Sequence, residues 1–341
     1  HQPIQLRLTG LYSSDEIELN PAPVRNMLNV LRLPRSESSS GLLHLKATYI
    51  HDASTFVQLG LSFYRQHREI FDSALGSNFV VYNDSAAVSA VLSHNSYVRQ
   101  GTAPQPYDIN GFPFSRPGTP TSFANGSERS SAYSKEEDTY SGVGGSVTRQ
   151  QGIHQLKAGF DLQRWTSRRY LVVVNSLRSG IQSTYAHLEM VYRQYYAGDI
   201  AQGEILDGLI DAAKAVPAGE GGIDDFRDFM RNGSRGDFFG YDEFGRRTND
   251  DGLEGPRHPL LASVYLQDKM EYDDLIVQAG FRWDFFDADS WRFVDPSAPV
   301  RDQERFAIVV RDDSVGSYTG VPDAPIMRKT RTFSEFSPRL G

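Results

Sequence analysis

Apolar and polar residues alternate along several long stretches of this chain, so that successive side chains point to opposite faces of a strand. The strictest case is Leu275 to Asp287. There Leu275, Val277, Ala279, Phe281, Trp283 and Phe285 lie on one side, with Gln278, Gly280, Arg282 and Asp284 on the other. From Thr55 to Gln66, Val57, Leu59, Leu61 and Phe63 alternate with Gln58, Gly60, Ser62 and Tyr64. From His154 to Arg164, Leu156, Ala158, Phe160 and Leu162 alternate with Gln155, Lys157, Gly159, Asp161 and Gln163. Weaker versions predict strands near 4–12, 42–50, 138–149 and 260–271, beside 55–68, 154–168 and 275–287, and the residues after the last long connection, 334–341, are read as the start of one more. These runs exceed the roughly 5 to 6 residues of an ordinary strand and match the ~9 to 11 of a tilted strand crossing a bilayer.

The connections alternate between short and long. Residues 51–54, 150–153 and 272–274 read as tight turns, whereas 13–41, 69–137, 169–259 and 288–333 read as long loops. Compact domains rarely contain connections beyond ~12 to 15 residues. Short turns at one end and long loops at the other are the rhythm of an outer-membrane barrel. The expected fold is therefore all-β: an antiparallel, up-and-down transmembrane β-barrel segment, an open curved sheet of seven or eight long strands with long extracellular loops. One loop, 169–259, reads as partly helical. Leu188, Val191, Tyr192, Tyr195 and Tyr196 recur at helical spacing, as do Ile205, Leu209, Ile210 and Ala213, before Pro217 and a glycine cluster.

Composition narrows the alternatives. The longest aliphatic run, Leu171 to Val174, excludes a membrane-spanning helix, and the mean hydropathy of −0.45 suits alternating strands. A net charge of −8 without a basic block argues against nucleic acid. With no cysteine, disulfides and thiol chemistry are excluded. The ends, His1-Gln2-Pro3 and Pro338-Arg339-Leu340-Gly341, read as those of an internal piece of a longer protein.

Three motifs carry a family resemblance. Tyr265-Leu266-Gln267-Asp268 followed by Gly280-Phe281-Arg282-Trp283-Asp284 resembles a hairpin of TonB-dependent outer-membrane receptors. Ser337-Pro338-Arg339-Leu340-Gly341 is similar to the opening of that family's next strand, and His154-Gln155-Leu156-Lys157-Ala158-Gly159 to another of its strands. The resemblance implies a barrel of about 22 strands with an N-terminal plug. It further implies import of a scarce ligand (siderophore, cobalamin or oligosaccharide), outer-membrane lipid and the TonB complex as partners, and an outer-membrane location. No plug, TonB box or C-terminal aromatic strand is present in these residues.

Candidate chemistry is sparse. Arg227, Phe239, Tyr241, Tyr107, Phe112 and Phe114 are the loop residues expected to touch a ligand. Tyr241-Asp242-Glu243-Phe244-Gly245 reads as a turn fixing the loop, with ligand contact the second choice. Asp287-x-Asp289 and Asn249-Asp250-Asp251-Gly252 carry clustered oxygens without the spacing of a calcium loop. The histidines lack metal-ligand spacing, and no nucleophile elbow is present. No catalytic residue, cofactor or metal is expected. The alternatives to a transporter segment are a non-transporting outer-membrane surface protein, whose loops bind a partner or glycan, and a soluble β-rich hydrolase.

Overall fold

A computed structural model describes residues 3–20, 33–82, 84, 86–87, 132–174, 177–201, 203–217, 219–233, 237–250, 252–293 and 327–340. Its frame is a nine-stranded antiparallel sheet. In chain order the strands are β1 (Ile4–Glu18), β2 (Pro34–Ile50), β3 (Thr55–Asp72), β4 (Ala132–Gln151), β5 (His154–Val173), β6 (Asp237–Phe239), β7 (Leu260–Tyr272), β8 (Leu275–Asp287) and β11 (Phe333–Leu340). Neighbours follow the chain as β1-β2-β3-β4-β5-β7-β8-β11, with β6 also pairing β5. Two short strands, β9 (Trp291–Phe293) and β10 (Met327–Lys329), form a separate ribbon.

Local chemistry makes the tight turns. Between β2 and β3, Asp52 Oδ1 accepts from both the backbone N and the Oγ of Ser54 at 2.7 Å, an Asx-type turn. Gly152, with φ of 60°, reverses the chain between β4 and β5.

The expected barrel segment is not what forms. Among the described residues β1 pairs only with β2 and β11 only with β8, so the sheet is open and uncurled. Closure would require the first and last strands to tilt together and hydrogen-bond. The fold is also mixed rather than all-β. Among the described residues four helices form a layer of their own: α1 (Leu177–Thr184), α2 (Glu189–Ala197), α3 (Ile205–Lys214) and α4 (Ile223–Asp228). No helix among the described residues is long and apolar enough to cross a membrane.

The helices form because their apolar residues recur every three to four positions. On α3, Ile205, Leu209, Ile210 and Ala213 are all buried, with Asp207 in the first turn and Lys214 in the last, matching the helix dipole. Gly198, with φ of 83°, ends α2 by donating its N–H to Gln194 and Tyr195 carbonyls. Together with Phe79–Tyr82, the helices build a cap over the far ends of β4 and β5, where Tyr133, Tyr170 and Val172 join the core. Each large side chain so buried contributes about 1.5–3 kcal/mol. A buried ionic cluster crosses this layer: Arg178 donates to Asp84 at 2.6 Å and Glu189 at 2.8 Å, its guanidinium 3.7 Å from the Tyr192 ring centre.

Strand alternation fixes which face the cap covers. Counting by twos from Phe160 and Leu162 leads to Tyr170 and Val172, and the pairing of β4 with β5 is continuous throughout. The cap therefore sits on the apolar face. The rest of that face is bare: Leu6, Leu8, Leu59, Leu61, Phe63, Phe160, Leu162, Val264, Leu266, Phe281, Trp283 and Phe336 are all exposed.

Candidate functional site

Between the bare rows and the capped end, the apolar face changes to a collar of charge. Pairing places Glu69 beside Lys135 beside Tyr170, and His67 beside Glu137 beside Arg168. The returning segment after β6 closes over these residues. Asp242 Oδ1 accepts from the Phe244 and Arg246 backbone N–H groups at 3.0 and 2.7 Å. Gly245, at φ of 76°, lies against the Tyr170 ring. Tyr170 donates its hydroxyl to the Glu243 carbonyl at 3.1 Å. Tyr241 to Gly245 is thus a turn locked to the sheet.

Two buried carboxylates anchor the collar. Glu137, 5% exposed, has Arg247 Nη2 at 2.6 Å and Arg65 Nη2 at 3.6 Å. The Arg247 contact is an ion pair whose angle is too poor for a hydrogen bond, since Glu137 Oε2 has no hydrogen-bond partner. Glu243, 4% exposed, is held by Arg227 Nε at 3.0 Å and Arg231 Nη2 at 3.2 Å. Breaking one partner of a buried pair leaves an uncompensated charge and costs about 3–5 kcal/mol. Arg65, Arg227 and Arg247 are about half exposed, so they are fixed at one side and open at the other.

Burial controls the remaining titratable groups. Desolvation pulls the Lys135 ammonium below its ordinary value, against the raising effect of Glu69; its Nζ lies 4.8 Å from the Tyr241 ring centre and 5.7 Å from that of Tyr170. Desolvation and the nearby Glu137 push the Tyr241 hydroxyl up, opposed by Arg247. Tyr170 and Tyr133 are raised further, by desolvation first and then by neighbouring acidic residues.

The residues expected to touch ligand are divided by the structure. Arg227 lies in α4 on the collar rim, paired with Glu243 and, at 3.7 Å, Asp224. Tyr241 is a core residue, buried against Tyr170 and Lys135. Phe239 lies on β6, beneath the Arg257 guanidinium at 5.4 Å; desolvation lowers the pKa of that guanidinium, opposed by Asp289. Tyr107, Phe112 and Phe114 lie outside the described residues. Glu137, Lys135, Arg65 and Arg247 were not singled out by the sequence. No spacing marks Glu137 among the acidic residues, because its partners are distant in the chain. Glu243 stands inside the segment read as a turn.

No group of three or more metal-binding side chains occurs among the described residues. Asp289 accepts from the His258 backbone N–H at 2.8 Å and Lys329 Nζ at 2.6 Å. Burial alone would raise its carboxyl, but these bonds hold it below the ordinary carboxylate value. A cavity of about 490 Å³ at the β11 edge is lined by Tyr265, Gln267, Gln278, Arg282 and Arg339, among others.

Neither the protein-family models nor the curated proteins contain a match to this chain. The resemblance to TonB-dependent receptors therefore rests on three short motifs alone, and the open sheet with its helical layer overturns it. The expected roles fall with the barrel: a transporter of a scarce ligand, a protein partnered by outer-membrane lipid and the TonB complex, and an outer-membrane location. Each of the three motifs is short and degenerate, and alternating strands of this kind suit any long antiparallel sheet.

Proposed function

We propose that this is a non-transporting, non-catalytic recognition protein, in which the sheet is a scaffold and the collar of the cap binds a partner bearing anionic groups. The observation that carries this reading is the pair of buried carboxylates, Glu137 holding the half-exposed Arg65 and Arg247 and Glu243 the half-exposed Arg227. A guanidinium has five N–H donors in a rigid fork, and one or two carboxylate contacts leave others for an outside carboxylate or sulfate. Anchoring also reduces the side-chain entropy lost on binding. Overall acidity does not oppose this, because recognition depends on the local field.

The test is electrophoresis through native gels containing alginate or polygalacturonate, with dextran as the neutral control. Wild-type protein is expected to be retarded by the acidic polysaccharides only. The Arg227→Gln/Arg247→Gln double variant, checked for unchanged helical and strand circular dichroism, is expected to lose that retardation. Equal mobility of wild type in all gels, or retardation unchanged by the double variant, would contradict the reading.

A further inference from the structure

The opposite, polar face of the sheet carries a feature that the collar does not use. Tyr64 on β3 pairs with Tyr140 on β4, which pairs with Trp165 on β5. The rings touch in sequence: Tyr64 and Tyr140 are stacked with centres 5.7 Å apart, and Tyr140 and Trp165 lie 4.7 Å apart. One row toward the tight turns come His44, Ser62, Gly142 and Gln163; in the next come Lys46, Gly60, Gly144 and Asp161.

Cross-strand packing by itself accounts for three neighbouring aromatic rings. It does not account for the glycines beside them, each of which weakens a strand. Their geometry supplies a reason. A Cβ at Gly142 would stand 3.3 Å from Tyr140 Cε2, one at Gly60 3.2 Å from His44 Cε1, and one at Gly144 3.0 Å from Asp161 Oδ2. The missing side chains let a ring, an imidazole and a carboxylate lie down against the sheet instead of standing on it. Two hydrogen bonds then orient the polar groups: Gln163 Nε2 donates to Asp161 Oδ1 at 3.0 Å, and His44 Nδ1 lies 2.9 Å from Ser62 Oγ. The result is a low platform, aromatic at one end and edged by an amide, a carboxylate, a hydroxyl and an imidazole.

We propose that this platform binds a neutral oligosaccharide. A pyranose presents an apolar C–H face that matches aromatic rings and a belt of hydroxyls that match planar amide and carboxylate groups, the combination of apolar surface and few placed polar groups that marks a ligand site. Charge selects the neutral class. The row that holds Arg7 and Lys46 also holds Asp161 and Asp284, Arg282 is paired with Asp284, and Asp138 lies beyond the aromatic row, so the platform has no cationic excess to hold a carboxylate or sulfate. The site is separate from the collar, whose residues lie on the other face.

Isothermal titration of the whole chain with maltohexaose, cellohexaose, laminarihexaose and mannohexaose tests this. At least one is expected to give saturable heat, weakened about ten-fold or more by Tyr140→Ala and by Gln163→Ala. Gln163 lies outside the core, so its variant keeps the test valid if Tyr140→Ala fails to fold. The collar variant Arg227→Gln/Arg247→Gln is expected to bind the hexasaccharide as wild type does. Absence of heat with all four sugars, or binding unaffected by Gln163→Ala, would overturn the proposal without bearing on the collar.

Discussion

Arg178 shows how much one side chain can hold. Its guanidinium is buried with Asp84 and lies over the Tyr192 ring, so Arg178→Ala leaves a buried carboxylate without its cation. A loss of about 3–5 kcal/mol is expected in urea unfolding; a loss under about 1 kcal/mol would mean the pair is solvated. The tyrosines set the alkaline limit. Tyr133, Tyr170, Tyr185, Tyr192, Tyr196 and Tyr241 are all raised, with desolvation the leading cause in each. A raised folded value means that the folded state holds protons which the unfolded state releases above about pH 10, so stability is full below that pH and falls above it. Lys135, lowered by desolvation, works in the opposite sense, but it is one group against six. Absorbance of tyrosinate and circular dichroism should therefore change together on titration above about pH 10. Ionisation of Tyr133, Tyr170, Tyr185, Tyr192 and Tyr241 well before unfolding would show that these five are not buried.

The elements differ in how far the sequence reveals them. Leu275 to Asp287 and Ile205 to Lys214 are legible because each repeats its pattern at the period of its own geometry, 2 or 3.6. Alternation tells which side chains share a face, but not what covers that face. The docking of the cap on Tyr133, Tyr170 and Val172 depends on residues joined across long chain separations, and Glu137, already beside Arg65 through the β3–β4 pairing, meets Arg247 only through that docking. Closure is equally invisible: β1 and β11 look the same in sequence whether or not they pair. One glycine gives the cap its handle. Gly240, at φ of 69°, would bring a Cβ within 2.4 Å of Arg168 Cγ. Gly240→Ala is expected to loosen the segment that follows β6 by about 1–3 kcal/mol. Hydrogen exchange should rise in residues 237–258 while β4 and the first half of β5 stay protected. Uniform loss of protection would contradict a separately docked segment.

For the whole molecule, the uneven use of one sheet face is the defining property. Its capped end holds the aromatic core, a charged collar separates the two regions, and the remaining rows stay apolar and exposed. Contiguous exposed apolar surface promotes association. Leu59→Glu with Phe160→Lys, two positions on one bare row across Gly145, is expected to reduce self-association in sedimentation velocity. The change in unfolding free energy should stay within about 0.5 kcal/mol per site, as for surface positions. The chain has no cysteine, which allows the division of the face to be read directly. Single cysteines at Leu59, Leu61, Phe160, Tyr133 and Val172 can be labelled with a thiol reagent under native conditions. Rapid labelling is expected at the first three, and labelling at Tyr133 and Val172 only on unfolding; similar rates at all five would contradict the half-capped sheet.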